Sequence, residues 1–328
     1  MAKLKNILSL LLRISISVLL LFLLFRFNKI DIRVLIGDIK SADRVFLAVG
    51  FAILFSIYFL GFLRWKMLLD AAGINSPLKK IVSSFSGGVF FSIFLPSTIG
   101  GDFVRTVDLA GHTKKAKEVF ATVFLDRLSG YVGLVFVILP SLFFGRNLVL
   151  DKIVLSSVSV ILILLVFILL ILFNSAIYSK ITRFLSSPGA EKIKEMIKNM
   201  HQEIHIFRNR KKTLVANLLL SFFIQLINPI SAYFIGLSLG IKIDFVYFLI
   251  FLPIIGAITL LPIAIGGLGL RESLFVLYFA KAGVMKKSAL AMSLLSFAFV
   301  VFYAAIGGLI YVLTVHHRRI QPHKSSPV

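Results

Sequence analysis

The sequence predicts an all-α polytopic integral membrane protein of about six transmembrane helices plus two re-entrant broken hairpins in an inverted repeat. Three observations carry that expectation. The 328 residues are 59 % hydrophobic and only 15 % charged, where a soluble domain averages about 25 % charged. Mean hydropathy is +0.99. An apolar pattern broken by proline and paired glycine occurs twice.

The basic excess, 36 Lys+Arg against 14 Asp+Glu, would point to nucleic acid in a soluble chain. On this apolar background it reads as basic membrane-flanking loops, and no nucleic-acid partner is expected. With no cysteine, a disulfide framework, an iron–sulfur cluster and a cysteine zinc site are excluded. The sequence carries no Walker A motif, no metal-spaced histidine cluster and no G-x-S-x-G. No cofactor or metal is expected.

Taken in order, Ile7–Phe27 follows Lys3 and Lys5 and reads as an uncleaved first span, since no small-residue cleavage site follows it. Val45–Leu63 ends at Arg64-Trp65-Lys66, which reads as an interfacial anchor. Phe120–Phe144 spans with Asp126 and Arg127 in its first turns. Ile153–Phe173 is uncharged, and Thr213–Ile241 is long enough to span with a kink at Pro229. Ser288–Val315 ends at His316-His317-Arg318-Arg319. Between these lie two broken segments, Ile81–Leu95 and Val246–Leu261, each running into proline and then Gly-Gly. Such backbone survives at membrane depth only inside protein or beside water.

The positive-inside rule favours both broken segments turning back. With the N-terminus cytoplasmic, that topology leaves 23 basic residues on cytoplasmic pieces and 12 outside. The expected setting is the plasma membrane, with both termini cytoplasmic. The whole chain, 1–328, reads as one transmembrane domain, its halves at about 45–145 and 213–315. A basic amphipathic cytoplasmic segment is expected at about 180–212, suited to anionic lipid.

Leu95–Arg105 and Leu261–Arg271 share L-P-x-x-I-G-G-x-x-x-R at a constant offset of 166 residues. The apolar span preceding the first copy runs opposite to the span preceding the second, so the repeat is inverted. Gly-Gly lets a half-helix begin, at Asp102 and at Leu268, with backbone N–H groups facing the membrane interior. Gly100, Gly101, Gly266 and Gly267 therefore join the candidate binding residues. Arg105 and Arg271 add forked cations suited to phosphate, with Asp102, Asp108 and Glu272 nearby as partners. The alternative is a pair of structural kinks. Asp126 is expected to reach Arg105, with Arg127 beside it, unless both snorkel to the interface. Asn217, Ser221, Gln225 and Asn228 form one polar stripe, either helix–helix glue or the lining of a hydrophilic groove.

L-P-S-T-I-G-G-D-F-V-R at Leu95–Arg105, D-R-L-S-G at Asp126–Gly130 and L-P-I-A-I-G-G-L-G-L-R-E at Leu261–Glu272 resemble the lysylphosphatidylglycerol synthase transmembrane family, also called flippase-like membrane proteins. Arg64-Trp65 with Gly73 is also similar, and the resemblance runs in order along nearly the whole chain. Gly-Glu is common in the family where Gly101-Asp102 stands here; the acid is kept but shortened. The resemblance implies translocation or handling of phospholipid headgroups, aminoacylated phosphatidylglycerol being the best-known cargo. It makes Arg105, Asp126, Arg127, Arg271 and Glu272 the candidate site residues. Two-domain members carry a cytosolic aminoacyl-transferase domain, which these 328 residues do not contain. Lysyl transfer by this chain alone is therefore not expected. The other readings are an intramembrane lipid-modifying enzyme with Asp102 or Asp126 as general base, or an accessory subunit of a separate transferase.

Overall fold

A computed structural model describes residues 2–28, 31–95, 98–145, 151–184, 191, 194–195, 197–198, 207, 210–259, 264 and 266–320. Twelve helices are defined among them, with no strand. They are α1 (Ala2–Asn28), α2 (Ile32–Lys40), α3 (Arg44–Ala71), α4 (Leu78–Phe94), α5 (Thr98–Thr113), α6 (Ala116–Phe144), α7 (Lys152–Phe173), α8 (Ser175–Phe184), α9 (Lys211–Ser238), α10 (Phe245–Thr259), α11 (Leu270–Lys281) and α12 (Lys286–Ile320). Five, namely α3, α6, α7, α9 and α12, are long and apolar enough to cross a membrane. The sixth expected span is α1, whose first side chains lie outside the described residues. Most of the expected amphipathic segment at 180–212 also lies outside them.

Aspartates start several of these helices by accepting orphan amide protons. Asp43 accepts from Val45 and Phe46, and Asp151 from Ile153 and Val154. Helix α3 runs on to Ala71, so Arg64 and Trp65 are not an interfacial anchor. Trp65 is fully buried and donates to Thr122 Oγ1 at 3.2 Å.

Each broken segment is a helical hairpin that returns to the side it came from. On one side, Lys115, between α5 and α6, donates to the Gly73 carbonyl just beyond α3. On the other, the Asp43 amide bonds Ser238 at the end of α9, and Lys287 pairs with Asp38. The α4–α5 hairpin thus opens and closes at the C-terminal end of α3, and α10–α11 at its N-terminal end.

The two hairpins use their glycines differently from the expected pattern. The half-helices begin at Thr98 and Leu270 rather than at Asp102 and Leu268. Leu95 is extended at ψ 151°, as the residue before a proline prefers, so the first break falls upstream of Gly100-Gly101. Those glycines sit inside α5, where added methyls would strike Leu95 and the Gly88 carbonyl. In the second hairpin Gly266, Gly267 and Gly269 take φ of +56°, +73° and +80°. That left-handed run, open to glycine, holds the helix back to Leu270.

The repeat extends over four helices. Starts at 44, 78, 98 and 116 in the first half are matched by 211, 245, 270 and 286 in the second. Helices α3 and α9 pack against each other most extensively of all pairs, and antiparallel. Asp43 meets Ser238, Gly50 accepts from Ser231, and the Arg64 carbonyl accepts from Asn217. Ile57 lies midway between Gly50 and Arg64, and Ile224 midway between Asn217 and Ser231. They are repeat mates, separated like the starts of α3 and α9. A pseudo-two-fold axis passes between them, and the halves are inverted.

Candidate functional site

Beside that axis the first hairpin and α6 assemble a buried ionic chain. Arg64 Nε donates to Asp126 Oδ1 at 2.6 Å, and Arg105 Nη2 to Asp126 Oδ2 at 2.9 Å. Arg105 Nε also donates to Asp102 Oδ1 at 3.0 Å, and Arg127 Nη2 to the same oxygen at 3.1 Å. Three guanidiniums and two carboxylates thus alternate from Arg64 through Asp126, Arg105 and Asp102 to Arg127. Arg105 and Asp126 are buried, whereas the Arg127 side chain is 35 % exposed. The Arg105 guanidinium lies 4.9 Å from the Trp65 ring centre, close enough for cation–π attraction.

Local sequence explains the placement. Asp102 and Arg105 stand one turn apart on α5, so one arginine reaches both its own helix and α6. Asp126 and Arg127 point about 100° apart on α6, which lets Asp126 bridge Arg64 and Arg105 while Arg127 reaches Asp102. Glycine sets the depth of the crossing, because a methyl on Gly88 would lie 3.0 Å from Arg105 Cβ.

Two cavities flank the axis, both walled by Ile57, Arg64, Arg127 and Ile224. The smaller, about 210 Å³, is lined by Asp102, Arg105 and Asp126. The larger, about 450 Å³, adds Arg271, Gln225, Asn228 and Tyr131. They are repeat mates. Gly88, Val89 and Ser92 in one wall correspond to Ile255, Gly256 and Thr259 in the other. Arg105 corresponds to Arg271, as the shared motif expects.

The symmetry fails at α12, where Ser296 and Phe297 stand in the places of Asp126 and Arg127. Arg271 instead pairs with its neighbour Glu272 and stacks 4.0 Å from the Phe297 ring centre. Glu272 is fully buried and accepts the Gly269 amide at 2.6 Å. The N-terminus of α11 is therefore capped by this chain's own carboxylate rather than left open. No carboxylate lines the larger cavity among the described residues.

Most of the sequence-named residues converge here. Arg105, Asp102, Asp126 and Arg127 share one network, and Arg127, Arg271, Gln225 and Asn228 share one cavity. Gly100, Gly101, Gly266 and Gly267 line neither cavity; they shape the hairpins around them. The polar stripe divides. Asn217 and Ser221 tie α9 to Arg64, while Gln225 and Asn228 face the cavity. Asp108 serves Lys80 rather than Arg105, at 2.6 Å.

Arg64 is the site residue that sequence reading missed. A signal was present: Lys66 and Asp70 form an exposed i,i+4 pair, and Arg64 points about 200° from Lys66, toward the interior.

The family model described as the lysylphosphatidylglycerol synthase TM region matches residues 10–308. The chain belongs to this family. The chain is 26 % identical over 254 residues to a UPF0104 membrane protein of Pyrococcus horikoshii, covering 71 % of this chain and 76 % of the relative. A UPF0104 membrane protein of Methanothermobacter thermautotrophicus is 25 % identical over 271 residues, 75 % and 78 % of the two chains. No solved structure matches the chain. Family and apolar helices together make this a multi-pass membrane protein. The arginine network is thus the interior of a lysylphosphatidylglycerol-synthase-type membrane region.

Proposed function

We propose that this member binds a phospholipid or lipid-linked substrate by its phosphate and moves it across the plasma membrane. The observation that carries this reading is the larger cavity. It gathers Arg64 and Arg127 from one half and Arg271 from the other, with no carboxylate in its described wall. A charge at the bilayer centre costs about 2.5–3.5 kcal/mol on insertion scales. Three guanidiniums turned toward one half-apolar space suit an anion that enters with acyl chains on apolar walls.

The inverted halves supply a means of transport. In such proteins a central site is exposed to each side in turn by rocking one half against the other. Here the axis at Ile57 and Ile224 is flanked by two related cavities of unequal size, and Arg64 and Arg127 belong to both. A phosphate released from one cavity meets the same two guanidiniums in the other. Aminoacylated phosphatidylglycerol is the cargo the family name suggests, and anionic membrane phospholipid is the partner. The bias of basic loops supports cytoplasmic termini in this reading.

The general-base reading has less support. Asp102 and Asp126 each accept from two guanidiniums, so the oxygens a general base would turn toward substrate are already engaged.

Lipid translocation in proteoliposomes tests the proposal. Arg105→Ala combined with Arg271→Ala should abolish headgroup exchange between leaflets; wild-type rates in that variant would sink it. Chemical turnover of labelled lipid by the purified chain would favour the enzyme reading instead.

A further inference from the structure

Twice in this fold the first helix of a hairpin crosses a helix of the other half, and the two crossings are built from residues of different size. Helix α4 meets α12 at Gly87, Gly307 and Gly308. An added methyl at Gly307 would lie 3.0 Å from the Ser86 carbonyl oxygen, and methyls at Gly87 and Gly308 would strike the Tyr311 and Phe90 rings. The repeat mates of these glycines are Ile254 on α10 and Val137 and Ile138 on α6, all buried. The α6–α10 crossing also carries Pro140 and Pro253, each inside its helix. Each proline removes one bond of the helical ladder and favours a kink there. Close backbone approach through glycine holds the first crossing, whereas large side chains on two interrupted helices make the second the one that can part.

The larger cavity lies against that second crossing, with Tyr131 and Leu134 of α6 and Pro253, Ile255 and Gly256 of α10 in its wall. Helix α7 joins the halves, stands outside the repeat of α3–α6 and α9–α12, and rests on the same two helices. Its Val154 and Val158 are buried in one cluster with Leu134, Ile138 and Ile254, while Val160, Ile163 and Phe167 are exposed. We infer that α7 is a strap across the α6–α10 crossing, and that the larger cavity opens to the bilayer where the strap lifts. The inference rests on the substrate-binding reading above and deepens it.

Polar bonds latch the strap near one end. The Ser157 and Tyr278 hydroxyls are 2.7 Å apart, and Lys281 donates to Asp151 at 2.5 Å. Asp151 and Lys281 are partly exposed, so water can replace their bond at small cost, as a latch requires. Tyr278 and Lys281 both belong to α11, the helix of Arg271. Arg271 and Phe275 line the cavity, and Tyr278 continues their face at i, i+4, i+7. A ligand held by Arg271 thus bears on the helix that carries the latch, which ties the strap to occupancy of the site.

The test uses single cysteines in this cysteine-free chain, reconstituted in vesicles of phosphatidylcholine and phosphatidylglycerol and labelled by a maleimide on an acyl chain. Gly256→Cys reports the larger cavity, where an added side chain meets nothing within 4 Å. Ser92→Cys reports the smaller one. Loosening the latch with Tyr278→Phe and Lys281→Met should raise labelling at Gly256→Cys about fivefold or more and leave Ser92→Cys within about twofold. Tyr278→Phe alone should give a smaller rise of the same selectivity if the double variant fails to fold. No rise at Gly256→Cys overturns the strap, and equal rises at both positions mean general loosening and overturn it too. Exchange of fluorescent lysylphosphatidylglycerol between leaflets supplies a second readout. Ser157→Cys and Tyr278→Cys joined by a short bifunctional methanethiosulfonate should slow it about tenfold or more, and reductant should restore it; unchanged exchange on joining overturns the strap. If wild type exchanges none of this lipid, the transport reading fails for it, while the labelling contrast still decides whether α7 is a strap.

Discussion

Asp126→Ala removes the carboxylate that joins α3 to α5 through α6. Asp126 is 4 % exposed and accepts from Arg64 at 2.6 Å and Arg105 at 2.9 Å. At about 4 Å between charge centres and an effective dielectric near 20, each attraction is worth about 4 kcal/mol. Desolvation of each ion, several kcal/mol, offsets much of that while the pair is intact. Removing one partner forfeits the attraction and keeps the penalty. Arg105 retains Asp102, but Arg64 retains only a 3.3 Å bond to Ser221. The expected loss is about 3–5 kcal/mol of unfolding free energy, the range for a broken buried pair. It would be read from denaturant titrations in mixed micelles. Asp70→Ala is the control: its partner is Lys66 and it is 56 % exposed, so its loss should stay below about 1 kcal/mol. Replacing both partners, Arg64→Met with Asp126→Leu, should recover most of the loss, since no unpaired charge is then left at that contact. If Asp126→Ala costs no more than Asp70→Ala, the network is not a buried ionic core.

Three further expectations are open to direct measurement. Gly101→Ala pushes a methyl onto the Gly88 carbonyl oxygen and to 2.8 Å from Ser92 Cβ and should cost about 3 kcal/mol or more by overpacking against backbone, whereas Gly111→Ala meets nothing within 4 Å and should stabilise α5 by up to about 1 kcal/mol; equal effects on unfolding would contradict the close α4–α5 crossing. At the start of α7, the Lys281 ammonium bonded to Asp151 holds that carboxyl below its ordinary range, outweighing a desolvation effect in the opposite direction. A depressed folded-state value adds stability above the unfolded carboxylate range and loses it as pH falls through the folded one, so wild type and Lys281→Met should differ at neutral pH and converge in acid. Finally, single cysteines at Lys114 and Lys286 in this cysteine-free chain should react with an impermeant reagent from opposite sides, and reaction from one side only would refute the inverted halves.

The spans were legible because apolar length is a local property: Ile153–Phe173 read from composition is α7 within a residue. The hairpins were legible because proline and glycine act on their own backbone. The start of α5 was misplaced for a tertiary reason. Gly100 and Gly101 look like breakers in isolation, yet the approach of α4 uses them inside a helix. Arg64 was misread because an arginine next to tryptophan at the end of an apolar run resembles an interface anchor. Its burial depends on Asp126, 62 positions away.

By itself, then, the sequence determined the class, the repeat and its offset, the two broken hairpins, and the identity of Arg105 and Arg271 as repeat-related cations. These follow from residue types and their periodicity, which act over a few turns of one helix. Only the tertiary structure decided that the repeat axis runs between Ile57 and Ile224, that Asp126 joins Arg64 to Arg105, and that Arg127 and Arg271 face one cavity. Each of those contacts joins helices far apart in the chain. Which charges meet there is set by antiparallel packing at small residues, and a linear reading holds no record of that packing.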